Sequence, residues 1–378
     1  MRAYLDNAAT TPMAPEVIEV MLNVMKNNFG NPSSTHSFGR ETKAIIEHAR
    51  RNVAQMIGAE TKEIIFTSGG TEADNMAICC AVKDYGVTRI ISSPIEHHAV
   101  GHSIEAHPNA KYVEVKLSKT GQVDLAHLEE LLKSEEKTLV SLMHANNEIG
   151  TLLDIKAVSN LCRKYKALFH SDTVQTMGHY KIDVKDIEVD FITCAAHKFH
   201  GPKGVGFLYV KKNLKMSPLI QGGSQERGLR GGTENLIGIA GLEKALALAN
   251  HNIEEHQKEV QALKSYMISE LQKRIPGVEF HGEIDPDKSL YTVLNVMFPE
   301  FENKSMLLFL LDLDGVACSG GSACTAGAST GSHVLRGINA DSSRPNARFS
   351  FSRYTTKEEI DYALEKVEKV VLGQLVKS

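Results

Sequence analysis

VDFITCAAHKFHGPKG, residues 189–204, joins two unlike textures. Val189–Ala196 is apolar and largely strand-favouring, the composition of a buried strand. His197, Lys198, His200, Gly201 and Pro202 then break it. Most lysines face solvent, and a solvated loop is the ordinary place for Lys198. The alternative holds its amine at the end of a buried strand. Desolvation there lowers a lysine's pKa and frees the lone pair to condense with an aldehyde. An aldehyde cofactor at Lys198 requires three companions: a phosphate cradle, a carboxylate for a ring nitrogen and an anchor for the substrate.

Working outward, six further runs share the texture: EIIFTS (63–68), TRIISS (88–93), AKYVEV (110–115), KTLVSLMH (137–144), KALFHSD (166–172) and GVGFLYV (204–210). All read as short, mostly buried strands. Helical stretches lie between several of them, at 71–86, 124–136 and 154–166. The alternation predicts an α/β fold with a mainly parallel, seven-stranded sheet. Residues 234–275 form a helical pattern long enough to bridge two domains, with room for a break inside it. The texture then changes: SLYTVLNVMF (289–298), a helix near NKSMLLFLLDLD (303–314), a Gly/Ser/Ala loop, ARFSFS (347–352) and a terminal helix. That is a smaller α+β domain. The expected division is a large domain of 14–254 and a small one of 1–13 with 255–378.

The 378 residues carry a net charge of −4, no footprint for nucleic acid or an anionic membrane. No apolar run reaches the ~18 residues of a membrane span. MRAYLDNAATTP lacks the apolar core of a signal peptide. Six cysteines without a CxxC pair point to free thiols in a reducing compartment, hence to the cytoplasm.

Candidate companions for Lys198 follow. In FTSGGTEADN (66–75), Gly69, Gly70 and Thr71 lie between a strand and a helix start. Backbone N–H groups and the Thr71 hydroxyl can donate to phosphate there, although a plain turn capped by Thr71 also suits. Neither nucleotide fingerprint is present, which favours a smaller phosphorylated cofactor. Asp172 ends the run KALFHSD, where α/β sheets bind ligands. At ~4 Å and an effective dielectric of ~20, a carboxylate and a ring cation attract by about 4 kcal/mol before desolvation costs, roughly three pKa units. A turn or cap is the commoner role for such an aspartate.

SPIEHHAVGH (93–102) offers His97, His98 and His102. His98 and His102 are spaced for one helix face, but no third ligand accompanies them, so no metal is expected. A ring stacked on a planar cofactor suits His97. Cys324 sits in GSACTAG, among residues that predict a mobile loop and an exposed thiol. Cys318, after the apolar GVA, reads as a buried and inert cysteine. Arg348, with Arg353 as the near alternative, can grip a carboxylate with two parallel bonds. A surface salt bridge is the ordinary role of either.

Jointly, YLDNAATTP, FGNPSSTHSFGR, SGGTEADN, EHHAV, NNEIGT, SDTVQ, AHKFHGPKG, RGGTEN, GSACTAG and ARFSFSR stand in the order and spacing of cysteine desulfurases. These are pyridoxal-phosphate (PLP) enzymes of the class V aminotransferase group. The chain resembles them from Tyr4 to about Arg353. The resemblance implies the PLP-dependent transferase fold of type I and a homodimer with active sites near the subunit interface. It implies that Lys198 carries PLP and moves the Cα proton. Asp172 pairs with the pyridine nitrogen, Gln175 donates to the ring oxygen, and His97 stacks on the ring and assists proton transfer. Gly70, Thr71 and His197 hold the phosphate, and Thr233 reaches the phosphate in the second subunit. Asn147 and Arg348 bind the substrate carboxylate. Cys324 takes the sulfur of L-cysteine as a persulfide, leaving L-alanine. The sulfur then passes to an acceptor, an iron–sulfur scaffold or a tRNA-thiolation protein, without direct nucleic-acid or membrane binding. One position departs from the pattern: two residues before His197, where a serine commonly donates to phosphate, stands Ala195. Rival readings are a selenocysteine lyase or a class V aminotransferase, the latter having no need of Cys324, and a non-catalytic protein that only binds acceptors.

Overall fold

The structure is a computed structural model that describes residues 1–302, 304–320, 331–341 and 343–373. All seven sequence runs fold into one sheet. Its order is Ile64–Thr67, Gly206–Val210, Phe191–Ala195, Leu168–Asp172, Thr138–Ser141, Arg89–Ser92 and Lys111–Glu114. Gly206–Val210 runs against both neighbours, and all other pairs are parallel. Six strands therefore point the same way, and their carboxyl ends share one rim. From Arg89–Ser92 the chain goes out to the edge strand, then returns to Thr138–Ser141 on the other side. The order reverses between those two strands, where open α/β sheets leave a crevice.

Near-continuous apolar runs mark strands covered on both faces. Ile64, Ile65, Ile90, Ile91, Leu139, Val140, Phe191 and Ile192 are all at most 1 % exposed. Lys111–Glu114 departs from this expectation. It closes one edge of the sheet, and its residues are mostly exposed, which its lysine and glutamate suit. The long helical pattern resolves into Leu236–His251 and Ile253–Arg274, broken at Asn252 (φ −131°, ψ 45°). Two further helices, Pro15–Asn27 and Ser37–Met56, pack on Leu236–His251.

A second core lies around an antiparallel sheet of Glu279–His281, Val293–Met297 and Asn346–Ser350. The helices Ile253–Arg274 and Lys357–Leu372 supply Val260, Met267, Leu271, Leu364 and Val367 to it. Ala3 and Leu5 are buried in the same cluster. Ala3–Tyr4 pairs in parallel with Val316–Ala317. Among the described residues no helix is long and apolar enough to cross a membrane.

Candidate active site

Along the shared rim the strand ends enclose a cavity of about 220 Å³. Five of the seven strands each deliver one part of the lining. After Ile64–Thr67 come Gly70 and Thr71, and after Arg89–Ser92 comes His97. Asn147 follows Thr138–Ser141, Asp172 and Gln175 close Leu168–Asp172, and His197 and Lys198 follow Phe191–Ala195. Arg348 enters from the second core. Among the described residues, the fold thus gathers at one place every predicted site residue but Thr233.

Lys198 ends a single 3-10 turn, Ala196–Lys198, directly after its strand. Its Nζ donates to the carbonyls of Ala8 (2.6 Å) and Ala9 (2.9 Å). The Gln175 amide donates to the same Ala8 carbonyl at 3.1 Å. Asp172 is 6 % exposed, and its Oδ1 accepts the Val174 N–H at 2.8 Å. Burial, and then the neighbouring Asp74, push its carboxyl up to about 7. His97 caps the helix His98–Glu105, its Nδ1 accepting the Ala99 N–H at 3.1 Å. In the neutral ring the proton therefore sits on Nε2. Burial, followed by the Lys198 charge, pushes His97 down to about 4. His197 meets the Thr10 hydroxyl at 3.2 Å and is pushed down to about 4, chiefly by burial.

Arg348 is 1 % exposed. It donates to the Asn147 carbonyl (2.9 Å) and to Asp6 Oδ1 (2.7 Å), while its buried Nε has no partner. Its salt bridge is therefore internal to the site, not a surface pair. Arg353 lies over the Tyr354 ring, 5.0 Å from the centroid, and lines a different, smaller cavity. Thr233 also stands apart, in a separate cavity of about 160 Å³ beside Gly204 and Arg230. Cys324 lies outside the described residues. Cys318 is partly exposed, and burial pushes its thiol up to about 12, which keeps it protonated at neutral pH.

The lining accepts a small phosphorylated pyridine aldehyde. The helix Gly70–Lys83 starts at the cavity, and its cap is Gly69, not Thr71. Gly69 (φ +153°, ψ −173°) holds a backbone that side chains rarely allow and brings no capping group. The first N–H groups of the helix are thus left for an anion. A Cβ on Gly70 would lie 2.8 Å from Val174 Cγ2, so only glycine lets the backbone border the cavity here. Anion cradle, buried carboxylate and lysine amine match the phosphate, ring nitrogen and aldehyde of PLP, and the unpartnered Arg348 Nε suits a substrate carboxylate.

Three features escaped the sequence. Asp74 lines the cavity, is 1 % exposed, leaves Oδ1 without a hydrogen bond and lies 3.4 Å from His170 Nε2. Its spacing of three and four residues from Thr71 and Gly70 puts it on their helix face, which is the signal that marks it. The Ala8 and Ala9 carbonyls carry no side-chain signature. Asp6 meets Arg348 across 342 residues.

Asp74 is also pushed up to about 7, and Glu96 to about 8, both chiefly by burial. Carboxyls whose folded pKa exceeds the unfolded ~4 bind protons more tightly in the native state. The native state therefore loses stability as pH rises through that window. Each such carboxyl adds a downward slope to the Tm of the cofactor-free protein between pH 4 and about 8, while the buried histidines pushed down to about 4 add an upward slope below ~6.5. Bound PLP is expected to remove the Asp172 share of the downward slope. A slope unchanged by PLP would show that Asp172 does not meet the cofactor's cation.

Residues 3–363 match the family model described as aminotransferase class V. The chain belongs to that family of PLP enzymes. It is 44 % identical to cysteine desulfurase IscS of Dictyoglomus turgidum, over 97 % of this chain and 94 % of that one. It is 40 % identical to cysteine desulfurase NifS of Azotobacter vinelandii, over 97 % and 92 %. A solved NifS-like protein superposes with a TM-score of 0.91 at 36 % identity, over 99 % of this chain and all of the other. Another, from Rickettsia africae, gives 0.88 at 34 %, over 98 % and 99 %.

Ala195 lies in the cavity wall, 3 % exposed and 3.7 Å from where a Gly70 Cβ would stand. A hydroxyl there faces the anion cradle. Ala195→Ser is expected to slow loss of PLP on dilution by roughly tenfold or more, since a hydrogen bond to a charged group contributes ~1.5–3 kcal/mol. An unchanged off-rate would place the phosphate elsewhere.

Proposed function

We propose that this protein is a PLP-dependent L-cysteine desulfurase that yields L-alanine and a Cys324 persulfide. The observation that carries this is the convergence of Lys198, Asp172 and Arg348 on one cavity at the strand ends. When bound, PLP supplies a cationic ring that delocalises the charge left by Cα–H cleavage. The chain's own residues do the rest. Gly70, Thr71 and His197 hold the phosphate, and Asp172 keeps the ring nitrogen protonated. Gln175 would donate to the ring oxygen, and His97 would flank the ring as a neutral donor. Arg348 and Asn147 orient the substrate carboxylate, which takes over part of the guanidinium now shared with Asp6. Lys198 would carry the cofactor, and its amine, when free, would be the base for the Cα proton. The Cys324 thiolate then attacks the substrate sulfur. An S–S bond forms as the Cβ–S bond breaks, and its electrons leave with the alanine carbon skeleton.

The working unit is a homodimer in this reading, with Thr233 completing the phosphate site of the second subunit. Its distance from its own cavity supports that, as does the exposed apolar row Ile18, Leu22 and Met25 with Phe29 and Phe38 nearby. The sulfur acceptor is a protein, an iron–sulfur scaffold or a tRNA-thiolation enzyme, and the compartment is the cytoplasm. The free thiols at Cys79, Cys80, Cys162, Cys194 and Cys318 support a reducing environment. The two separate cores support a division into 14–254 and 1–13 with 255–378.

Intact-mass measurement after brief exposure to L-cysteine tests this function. One added sulfur atom, mapped to Cys324, is the expected result. Cys324→Ala is expected to abolish both that adduct and alanine formation. Unchanged turnover in Cys324→Ala would favour an aminotransferase.

A further inference from the structure

The peptide that bears Lys198 is held from two sides. On one, the Thr11 N–H and hydroxyl donate to the His197 carbonyl at 2.9 and 3.0 Å, and the lysine amine meets Ala8 and Ala9. On the other stands His179. Its Nε2 lies 3.1 Å from the Lys198 carbonyl and its Nδ1 3.0 Å from the Tyr291 hydroxyl. A carbonyl only accepts, so the proton sits on Nε2, and Nδ1 accepts from Tyr291. Burial pushes His179 down to about 4, which keeps this neutral ring in one tautomer at neutral pH.

Local backbone geometry explains how the ring reaches that carbonyl. Gly178 (φ +76°) packs so closely that a Cβ would stand 2.9 Å from Phe199 Cβ. The Gln257 amide, from the helix Ile253–Arg274, donates to the His179 carbonyl at 2.6 Å. Tyr291 is 5 % exposed and part of the second core. A continuous set of hydrogen bonds therefore runs from the second core through His179 to the lysine peptide.

We propose that His179 is a positioning residue for the catalytic lysine: its Nε2–H fixes the Lys198 carbonyl, and Tyr291 fixes the tautomer that makes this possible. The inference rests on Lys198 as the cofactor-bearing residue. An amine that moves a proton must be aimed closely, and a misplacement of ~1 Å costs about 10²-fold in rate. Holding the carbonyl fixes the peptide plane from which the side chain projects. Because Tyr291 and Gln257 belong to the part of the chain that also carries Arg348, lysine and substrate anchor are referenced to the same support.

Four variants test this. His179→Phe keeps a ring and loses both bonds. His179→Gln can place an amide N–H where Nε2 stood, whereas His179→Asn reaches only the Nδ1 position. Tyr291→Phe frees the tautomer. The measurements are kcat and KM for L-cysteine, visible circular dichroism of the bound cofactor and the rate at which apo-protein takes up PLP. Expected for His179→Phe is a fall in kcat of roughly 10- to 100-fold with KM within about twofold, an altered dichroic band and slower uptake. His179→Gln restores most of each readout, His179→Asn does not, and Tyr291→Phe falls between. Wild-type kcat and dichroism in His179→Phe would overturn the proposal, as would equal rescue by Asn and Gln. If His179→Phe does not fold, the Gln-against-Asn comparison decides alone. Borohydride reduction keeps the two ideas apart: a cofactor adduct on Lys198 in every soluble variant is expected, and its absence from the wild type would overturn the lysine's role instead.

Discussion

Lys198→Ala stops alanine release from L-cysteine, with a fall of roughly 10³-fold or more. The loss is at least comparable to that of a single general base, ~10²–10⁴-fold, and differs in kind, because the same amine both carries the cofactor and moves the proton. Cofactor binding is lost only in part. The cradle at Gly70 and Thr71 and the carboxylate of Asp172 come from other strand ends and do not depend on the lysine side chain. The variant is therefore expected to bind PLP without a covalent bond, with a changed visible spectrum and no adduct after borohydride reduction. The Ala8 and Ala9 carbonyls lose their amine donor, a cost in the apo-protein that measured Tm reports. Alanine release at the wild-type rate would end the proposed mechanism.

Asp172→Asn is the second large effect, and it carries two opposite signs. The substitution keeps the shape and the Oδ1 bond from the Val174 N–H, and it removes only the charge. Without its ~4 kcal/mol of attraction the ring nitrogen loses about three pKa units, and kcat falls by about 10²–10³-fold. The cofactor-free protein responds the other way. The buried carboxyl, pushed up to about 7, weakens the native state above that pH and has no such effect below ~4. Asparagine removes the penalty. The apo variant is therefore expected to melt higher than apo wild type at pH 8 and equally at pH 4. A site that is stabilised by losing its own functional charge is one shaped for a cation it does not itself contain. Equal Tm values at pH 8 would show that Asp172 already has its counter-charge within the protein.

Burial explains why so much of the large sheet was legible. Strands covered on both faces are dominated by apolar residues, and six of the seven strands are buried almost throughout, Leu168–Asp172 included although His170, Ser171 and Asp172 are polar. Lys111–Glu114 misled on burial because AKYVEV mixes an apolar centre with edge charges. The helices Pro15–Asn27 and Ser37–Met56 were not read, although Pro15 at a first helical position marks one start. The site was legible where side chains carry its chemistry: Lys198, Asp172, His97 and Arg348 all line the cavity. It was illegible where the backbone does. No pattern announces the Ala8 and Ala9 carbonyls, the Gly69 cap in place of Thr71, or the carbonyl of Lys198 under His179. Thr233 rested on family resemblance alone, since nothing local distinguishes it.

The segment from Ala3 to Ala14 touches both cores. Ala3–Tyr4 pairs with Val316–Ala317, the Asn7 amide donates to Ser350, Asp6 meets Arg348, and Thr11 holds His197. These partners lie between roughly 190 and 340 residues away along the chain. Closing such loops is slow, and a nascent polypeptide leaves the ribosome at about 5–20 residues per second. The earliest-made stretch must therefore wait tens of seconds for its last partners. Until then the growing molecule has a hollow for a small phosphorylated cofactor without a finished floor, so synthesis itself withholds a persulfide-forming activity until the chain as far as Ser350 has emerged.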